Sequence, residues 1–361
     1  MSLSNPITSS VALDQPWEKP WAANELEHIP ACPVCGSTQR EVLHDDLIDN
    51  VCFVAAGRWT LHRCIQCRSA YLDPRPNPAS IGRAYGTYYT HDVGTPREDI
   101  NQLKGFRRWR RMLANGYTNH RYGTEHQPAS VLGVWVARLL PQQRQALDVQ
   151  YRYLPKPQKG QTLLDIGCGN GGFLESAKHA GWDVLGLEPD PKAAEAARQR
   201  GLDVRVGTIE VLANESACFD VITLSHVIEH VHTPQDVLTA VHRLLKPGGL
   251  VYVDTPNIES RGAKLFGSNW RGLEIPRHLV LFNPDSLLKI LAENGFDHIS
   301  LKRRTAVIPG MYWSSMRIAE GKSPYESEFV RLPIMERLRI KSRRQKMKDL
   351  EFITLTAIKM E

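Results

Sequence analysis

The stretch QTLLDIGCGNGGFLESAKHAG, residues 161–181, reads as an apolar strand, a glycine-rich turn and an amphipathic helix. Gly167, Gly169 and Gly172 satisfy the pattern G-x-G-x-x-G, and Gly171 lies in the same turn. Alone this pattern is weak, since nicotinamide and flavin enzymes share it. The next strand, WDVLGLE, ends at Glu188, about 20 residues further on, where a carboxylate can accept hydrogen bonds from a ribose diol. The class of cofactor stays open at this point.

Three further features narrow the choice. Asp165 stands two residues before the first glycine, FDVITLSHVIEHV covers residues 219–231, and LLKPGGLVYVDTPN covers residues 244–257. In this order the motifs resemble those of class I S-adenosylmethionine-dependent methyltransferases, over roughly residues 155–300. The resemblance implies a Rossmann-like α/β fold with a seven-stranded sheet, and S-adenosylmethionine as the cofactor.

The resemblance also implies cofactor contacts for particular residues. Asp165 is expected to position the ammonium group, Glu188 to hold the ribose, and Ile209 to form an apolar wall beside the adenine. Ser225 and His226 end a strand at the carboxyl edge of the sheet, where ligands of open α/β folds bind. The expected cofactor-binding set is Asp165, Gly167, Gly169, Gly171, Glu188, Ile209, Ser225 and His226.

The segment SHVIEHV, residues 225–231, has the order H-x-x-E-H of a zinc-protease signature, but that signature needs a long helix and this segment ends a strand. Three interpretations stay open. His230 could be the general base that takes the acceptor's proton, or His226, Glu229 and His230 could bind a divalent ion, or Glu229 could cap backbone amides with His230 merely packed. The segment resembles quinone-biosynthesis O-methyltransferases, with His226 in place of a first glutamate, which disfavours Mg²⁺. His278 and Tyr89 complete the candidate catalytic set.

Four of the seven cysteines form two C-x-x-C knuckles, Cys32 with Cys35 and Cys64 with Cys67. Two such knuckles can place four thiolates around Zn²⁺, whereas a redox C-x-x-C usually occurs singly. Because cysteine fills every ligand position, the predicted zinc is structural and not catalytic.

The motifs divide the 361-residue chain, whose hydrophobic content of 42% is enough for a large α/β domain plus a smaller module. We expect a flexible leader at 1–25, a zinc-binding domain at 26–80, a helical connector or lid at 81–154 and the methyltransferase domain at 155–361. The connector carries Tyr85, Tyr88, Tyr89 and His91, which could form a lid or belong to a core.

The net charge of +6 is unevenly distributed, with basic clusters at 104–111 and 337–348. Each is either a solvated helix face or a contact for a phosphate-bearing substrate, nucleic acid or an anionic surface. No signal peptide or membrane-spanning run is visible, so a cytoplasmic protein is expected. The sequence predicts no oligomeric state.

The zinc knuckles, tyrosine-rich connector and catalytic frame together resemble bacterial sugar methyltransferases. Deoxysugar C-methyltransferases carry a further domain after the catalytic one, so we expect O-methylation of a sugar or nucleotide-linked sugar, with C-methylation as an alternative. An RNA base methyltransferase is less favoured, because an Asn/Asp-Pro-Pro-aromatic motif is missing after the fourth strand. A non-catalytic cofactor-binding scaffold is the remaining alternative. Asn257, Trp270, Arg277 and His278 are expected near the substrate, with Arg277 either pairing with an anionic group or anchoring its loop.

Overall fold

The computed structural model describes residues 20–86, 103–325 and 346–360. The strands are β1 Leu26–Glu27, β2 Arg40–Leu47, β3 Trp59–Cys64, β4 Ala70–Leu72, β5 Arg75–Pro76, β6 Thr162–Ile166, β7 Asp183–Glu188, β8 Val204–Val206, β9 Phe219–Ser225, β10 Leu245–Pro256, β11 Val280–Leu281, β12 Phe296–Lys302 and β13 Phe352–Lys359. The α-helices are α1 Gly105–Tyr122, α2 Leu132–Leu139, α3 Pro141–Gln150, α4 Gly172–His179, α5 Pro191–Gln199, α6 Pro234–Leu244, α7 Arg261–Phe266, α8 Pro284–Glu293 and α9 Ile308–Ala319.

The predicted seven-stranded sheet is confirmed, with the order β12-β13-β10-β9-β6-β7-β8. Neighbouring strands from β8 to β10 run parallel, whereas β13 is antiparallel to both β10 and β12. Strands of a sheet covered on both faces read as continuous apolar runs, which explains segments such as TLLDI in β6. The sheet brings the carboxyl ends of β6, β7, β9 and β10 to one edge.

The connector helices cover one face of this sheet. Tyr117 and Tyr122 of α1 and Tyr151 after α3 pack with Leu163 of β6 and Tyr252 of β10. The hydroxyls of Tyr117 and Tyr122 both donate to Asp148 Oδ1 at 2.6 Å. This polar contact fixes α3 against α1, and it thereby places the residues that follow α3 close to β6.

The cysteine-rich module is not an isolated domain, because a strand from the catalytic part completes its sheet. The order of that sheet is β11-β4-β3-β2, so Val280–Leu281 pairs with Ala70 and Tyr71 directly after the second knuckle. The buried module residues also belong to the same hydrophobic core as the seven-stranded sheet.

One sequence expectation about this part of the chain differs from the structure, and for Arg277 the contacts favour the second of the two alternatives, an anchoring role. Pro20 to Glu25 were assigned to a flexible leader, but Trp21 packs edge-on against Trp59 at 5.6 Å and its Nε1 donates to the Ala56 carbonyl at 2.8 Å. Arg277 does not face a substrate. Its side chain is fully buried, and its Nη1 and Nη2 donate to the two carboxylate oxygens of Asp49 at 2.9 and 2.6 Å. It therefore joins the catalytic part to the module.

Candidate active site and candidate metal centre

The glycine turn after β6 is held close to β7 and leaves open space beside it. The amides of Gly167 and Cys168 both donate to the Leu187 carbonyl, at 2.8 and 3.0 Å. Gly167 and Gly169 have φ values of +67° and +55°, which L side chains rarely adopt. A Cβ on Gly167 would come within 2.7 Å of Val227, whereas a Cβ on Gly169 would enter unoccupied space. The turn thus offers bare backbone to a ligand at Gly169.

Asp165 at the end of β6 has a polar atom available for that ligand. Its carboxylate is fully buried, and Oδ1 accepts hydrogen bonds from Arg152 and from Thr223. Oδ2 is also buried and has no hydrogen-bond partner. A buried carboxylate oxygen without a donor is costly. A bound ammonium group would satisfy it.

Arg152 is a residue that sequence reasoning missed. It lies just after α3, its guanidinium stacks over the Phe173 ring at 3.6 Å, and it contacts both Asp165 and Thr223. No motif marks it, because its position depends on how α3 packs against the sheet. Its guanidinium places a positive charge beside the buried carboxylate of Asp165.

Glu188 closes β7 and lies against the same turn. Its Oε2 accepts from the Gly169 amide at 2.8 Å and its Oε1 from the Asp190 amide at 3.0 Å. Burial nevertheless raises the pKa of Glu188, with the two amides acting in the opposite direction. Each oxygen retains a lone pair, so the carboxylate can still accept from a diol. Ile209 begins the 3₁₀ turn Ile209–Leu212 and is buried.

His226 occupies the carboxyl end of β9 in a left-handed backbone conformation, with φ of +56°. Its Nδ1 lies 3.4 Å from Glu229 Oε1, and its Nε2 lies 3.2 Å from Asp254 Oδ2. Arg304 contacts the same Asp254 carboxylate and stacks over the Phe352 ring at 4.6 Å. Ser225, the preceding residue, pairs with Asp254 across the sheet. Asp254 and Arg304 are therefore further site residues that the sequence did not reveal.

His230 is oriented by two contacts on one ring nitrogen. Its Nδ1 lies 3.1 Å from the Arg277 carbonyl and 2.9 Å from the Tyr85 hydroxyl. A carbonyl oxygen can only accept, so the first contact is a hydrogen bond only if Nδ1 carries the proton. In that tautomer Nε2 has a free lone pair. The arrangement is suited to proton acceptance at Nε2.

Glu229 and His278 lie beside His230. Burial raises the pKa of Glu229, but the hydrogen bond to His226 and the nearby histidines outweigh it and hold the pKa at about 2. Burial and the adjacent His230 lower the pKa of His278 to about 4, so this imidazole is neutral at pH 7. His278 Nδ1 donates to the Gly272 carbonyl at 2.8 Å.

One potential ligand atom from each of Glu229, His230 and His278 falls within 4.8 Å of the others. A divalent ion in this region would therefore be bound by Glu229, His230 and His278. The set expected from the sequence contained His226 in place of His278. His230 and His278 are in edge-to-face contact, with ring centroids 4.6 Å apart.

The remaining predicted site residues separate into two groups. Tyr89, with Tyr88 and His91, lies outside the described residues, whereas Tyr85 of the same segment reaches His230. Trp270 and Asn257 were expected near the substrate, but both are buried with protein partners. Trp270 Nε1 donates to Glu351 at 2.8 Å, and Asn257 donates to the carbonyls of Lys348 and Leu350. These two residues anchor loops, because their only polar side-chain atoms are already used.

A basic cleft of about 520 Å³ lies between α1 and α3, separate from the histidine cluster. Its lining includes Arg107, Arg110 and Arg111 from the cluster at 104–111, facing Gln150 and Tyr151. Tyr151, which lines the cleft, immediately precedes in the sequence Arg152, whose guanidinium contacts Asp165.

The four knuckle cysteines converge on one point. Sγ atoms are 3.6 Å apart for Cys32 and Cys67 and 3.5 Å apart for Cys35 and Cys64, and all four lie within 4.8 Å of one another. Tetrahedral zinc with Zn–S bonds of about 2.3 Å separates its sulfurs by about 3.8 Å. The sulfur separations are compatible with the binding of one zinc ion.

The two knuckles share one backbone conformation. In each, the amide of the first cysteine donates to the carbonyl five residues later at 2.9 Å, namely Cys32 to Ser37 and Cys64 to Ser69. The residue after the second cysteine has a positive φ, +74° at Gly36 and +62° at Arg68. Two copies of one turn face each other, which is why the sulfurs converge.

β11 links the cysteine cluster to the segment that contains Glu229 and His230. The amides of Leu279 and Val280 donate to the Glu229 carbonyl at 2.8 and 3.1 Å, and Asn283 Nδ2 donates to the Cys67 carbonyl at 2.8 Å. A segment of five residues therefore contacts the second knuckle at one end and the Glu229 backbone at the other.

Comparison with known proteins identifies the catalytic part. A family model described as a methyltransferase domain matches residues 140–301. The ubiquinone biosynthesis O-methyltransferase of Roseobacter denitrificans is 36% identical over 172 residues, which are 44% of this chain and 68% of that protein. A protein of the same description from Cereibacter sphaeroides is also 36% identical, over 44% of this chain and 69% of its own length.

Among solved structures, a methyltransferase from Thermotoga maritima described as a possible histamine N-methyltransferase is similar at 21% identity. It covers 62% of this chain and 94% of its own, with a TM-score of 0.41. No described helix is long and apolar enough to cross a bilayer.

Proposed function

This chain belongs to the class I S-adenosylmethionine-dependent methyltransferases, and from that premise we propose that it methylates a hydroxyl of an anionic small molecule, a sugar or a nucleotide-linked sugar. The orientation of His230 carries the proposal: Nδ1 is engaged by the Arg277 carbonyl and the Tyr85 hydroxyl, and Nε2 is left to accept a proton.

S-adenosylmethionine supplies an electrophilic methyl group when it is bound. Asp165 Oδ2, buried without a donor, would accept hydrogen bonds from its ammonium group. The open space at Gly169 would admit the methionine portion, and Glu188 would accept from the ribose hydroxyls. Ile209 would pack against the adenine, and Ser225 and His226 would border the methyl group at the end of β9.

In the proposed reaction the acceptor oxygen forms a bond to the methyl carbon as the carbon–sulfur bond breaks. The hydroxyl proton passes to Nε2 of His230, and the electron pair of the broken bond stays on sulfur. Positioning of the oxygen in line with the methyl group supplies most of the acceleration. Glu229 keeps a negative charge beside His230, and this charge stabilises the imidazolium that forms.

The arginine-lined cleft supports an anionic acceptor. Arg107, Arg110 and Arg111 line it together with amide and hydroxyl groups, a combination suited to a phosphate or diphosphate and a polar ring. Arg277 was a candidate for pairing with an anionic group of the acceptor, but it is buried against Asp49. We therefore assign this role to the arginines of the cleft.

A phenolic acceptor is the second candidate. It is favoured by the relatives from Roseobacter denitrificans and Cereibacter sphaeroides, whose names place them in ubiquinone biosynthesis as O-methyltransferases. The same general base would serve either hydroxyl, so the acceptor is distinguished by the cleft and not by the histidine.

We also propose that Cys32, Cys35, Cys64 and Cys67 bind one structural Zn²⁺. Sulfur separations of 3.5 and 3.6 Å support this assignment. The ion would fix the end of β11 through Cys67 and Asn283, so it would position the Glu229 backbone without taking part in the reaction.

The test is transfer of labelled methyl groups from S-adenosylmethionine to separate pools of nucleotide sugars, phenolic quinone precursors and total RNA, with mass analysis of the product. Methylation of a nucleotide sugar at an oxygen atom is the expected result. Methylation at a carbon atom would contradict O-methylation and establish C-methylation instead. Methylation of the phenolic pool alone would establish the second candidate. Methylation of RNA alone would overturn both.

A further inference from the structure

Helix α2 has its small residues inside and its large apolar residues outside. Gly133 and Ala137 are buried, whereas Leu132, Trp135 and Leu139 are 58%, 63% and 79% exposed. An amphipathic helix of a globular protein normally buries its large apolar side chains. The reversed arrangement points to a partner on the outer face.

The reversal is built into the contact between α1 and α2. A Cβ on Gly133 would come within 1.9 Å of the Leu113 carbonyl oxygen, and a Cβ on Gly116 within 1.8 Å of the Ser130 carbonyl oxygen. Only glycine permits this close approach of two backbones. The helical pair is thus fixed in a geometry that turns Leu132, Trp135 and Leu139 away from the core.

The exposed apolar surface continues onto neighbouring positions. On α1, Phe106 and Trp109 are 69% and 48% exposed and stack on each other at 5.8 Å. Val131, before α2, is 84% exposed. We call the exposed set Phe106, Trp109, Val131, Leu132, Trp135 and Leu139 the α1–α2 surface. Exposed apolar clusters of this size mark interaction sites.

The same segment concentrates the positive charge of the protein. Residues 103–147 contain eight lysines and arginines and one acidic residue, a balance of +7, while the whole chain has a net charge of +6. Arg138 stacks over the Trp135 ring at 4.8 Å. Arg108 is also exposed, and it lies between Phe106 and Trp109 in the sequence. Aromatic, aliphatic and basic side chains are therefore all exposed on the packed pair of helices α1 and α2.

We propose that the α1–α2 surface docks onto an anionic phospholipid bilayer. Its aromatic and aliphatic side chains would enter the boundary between headgroups and acyl chains, and its arginines would contact headgroup phosphates. The helices lie on the bilayer and do not cross it, in agreement with their length and composition.

Charge complementarity favours this occupant over two others. A second copy of the chain would bring two strongly positive surfaces together, and like charges repel. RNA would use the arginines and the aromatic rings, but it gives no favourable contact to the aliphatic side chains Val131, Leu132 and Leu139. An anionic bilayer satisfies both the charged and the aliphatic parts.

The experiment is sedimentation of the full chain with vesicles of phosphatidylglycerol and phosphatidylcholine, compared with phosphatidylcholine alone. One variant, R108E/R138E, reverses two charges outside the arginine-lined cleft, and a second, W135S/L139S, removes two exposed apolar side chains. The control is K264E/L265S on α7, which makes the same kinds of change at a different surface, where Leu265 is 54% exposed.

We expect binding to anionic vesicles that weakens as salt is added. R108E/R138E should bind at least about a hundredfold more weakly, since each cationic residue near an anionic surface contributes about 1 kcal/mol. W135S/L139S should lose about tenfold or more. The control should bind as the unmodified chain does, and all variants should retain cofactor binding, which shows that they are folded.

The proposal would be overturned if the protein did not sediment with anionic vesicles, or if K264E/L265S lost as much vesicle binding as the two surface variants. It would also be overturned if the protein did not bind vesicles but formed dimers or bound RNA through Trp135 and Leu139. Methyl transfer to a water-soluble acceptor is measured in parallel. Its retention in both surface variants separates failure of membrane docking from failure of the proposed activity.

Discussion

Replacing Arg277 with methionine should separate the structural role of this arginine from any role in substrate binding. Methionine keeps an unbranched chain of similar length but removes the five N–H donors. In the native protein two of them bind Asp49 at 2.9 and 2.6 Å and one binds the Ala84 carbonyl at 3.0 Å. The substitution leaves the Asp49 carboxylate buried without its cation.

The loss can be estimated from the environment of Asp49. Removing one partner of a buried ion pair costs about 3–5 kcal/mol in general. Here the carboxylate keeps backbone N–H donors from Cys52, Val54 and Ala55, at 3.0, 3.0 and 3.1 Å, so the lower end applies. We therefore expect Arg277→Met to reduce the free energy of unfolding by about 3 kcal/mol.

Urea unfolding followed by tryptophan fluorescence measures this loss. The double variant D49N/R277M should recover about half of it, because the unpaired charge is removed. Arg68→Met is the matched control: Arg68 also pairs across the same boundary, with Glu259, but it is 61% exposed, so the expected loss is below about 1 kcal/mol. A loss of less than about 1 kcal/mol for Arg277→Met, or no recovery in the double variant, would refute the assignment.

Gly169→Ala should weaken S-adenosylmethionine binding about tenfold in calorimetry, while Gly201→Ala, with a similar positive φ and equally open space, should not. Because the folded-state pKa of His278 is about 4, folding should weaken as the pH falls below about 6.5. Between pH 7 and pH 5 the free energy of unfolding, measured with urea, should fall by about 2 kcal/mol more in the unmodified protein than in His278→Asn. An equal fall in both proteins would contradict this prediction. Metal analysis should find one zinc per chain, absent in Cys64→Ser and retained in Cys52→Ser, a cysteine outside the cluster.

The resemblance to class I methyltransferases implied the seven-stranded sheet, and the motifs that carry this resemblance are local in the sequence. Each strand is a short apolar run ended by a turn or a functional residue, as at Asp165, Glu188 and Ser225. Parallel strands bring their carboxyl ends to one edge, so topology alone places these residues near one another. The two C-x-x-C turns were also visible in the sequence, because each turn has a fixed spacing between its two cysteines.

Contacts between distant segments were not visible in the sequence. Arg152, Arg304 and Asp254 reach the site only after the connector and the last strands have packed on the sheet. Arg277 was open to two interpretations because the sequence shows that the residue is basic but does not show whether it binds a substrate or a carboxylate such as Asp49. The strand β11 is two residues long, too short for a periodic signal, yet it completes the four-stranded sheet of the cysteine-rich module.

The proposed function depends on transfer of the acceptor's hydroxyl proton to His230. The most direct measurement is the single-turnover rate of methyl transfer by His230→Ala, with and without added imidazole, together with the cofactor dissociation constant. We expect a rate about 10² to 10⁴ times lower, unchanged cofactor binding, and partial recovery of the rate with imidazole. A full rate in the variant, or a loss that imidazole does not recover while cofactor binding stays intact, would contradict this prediction.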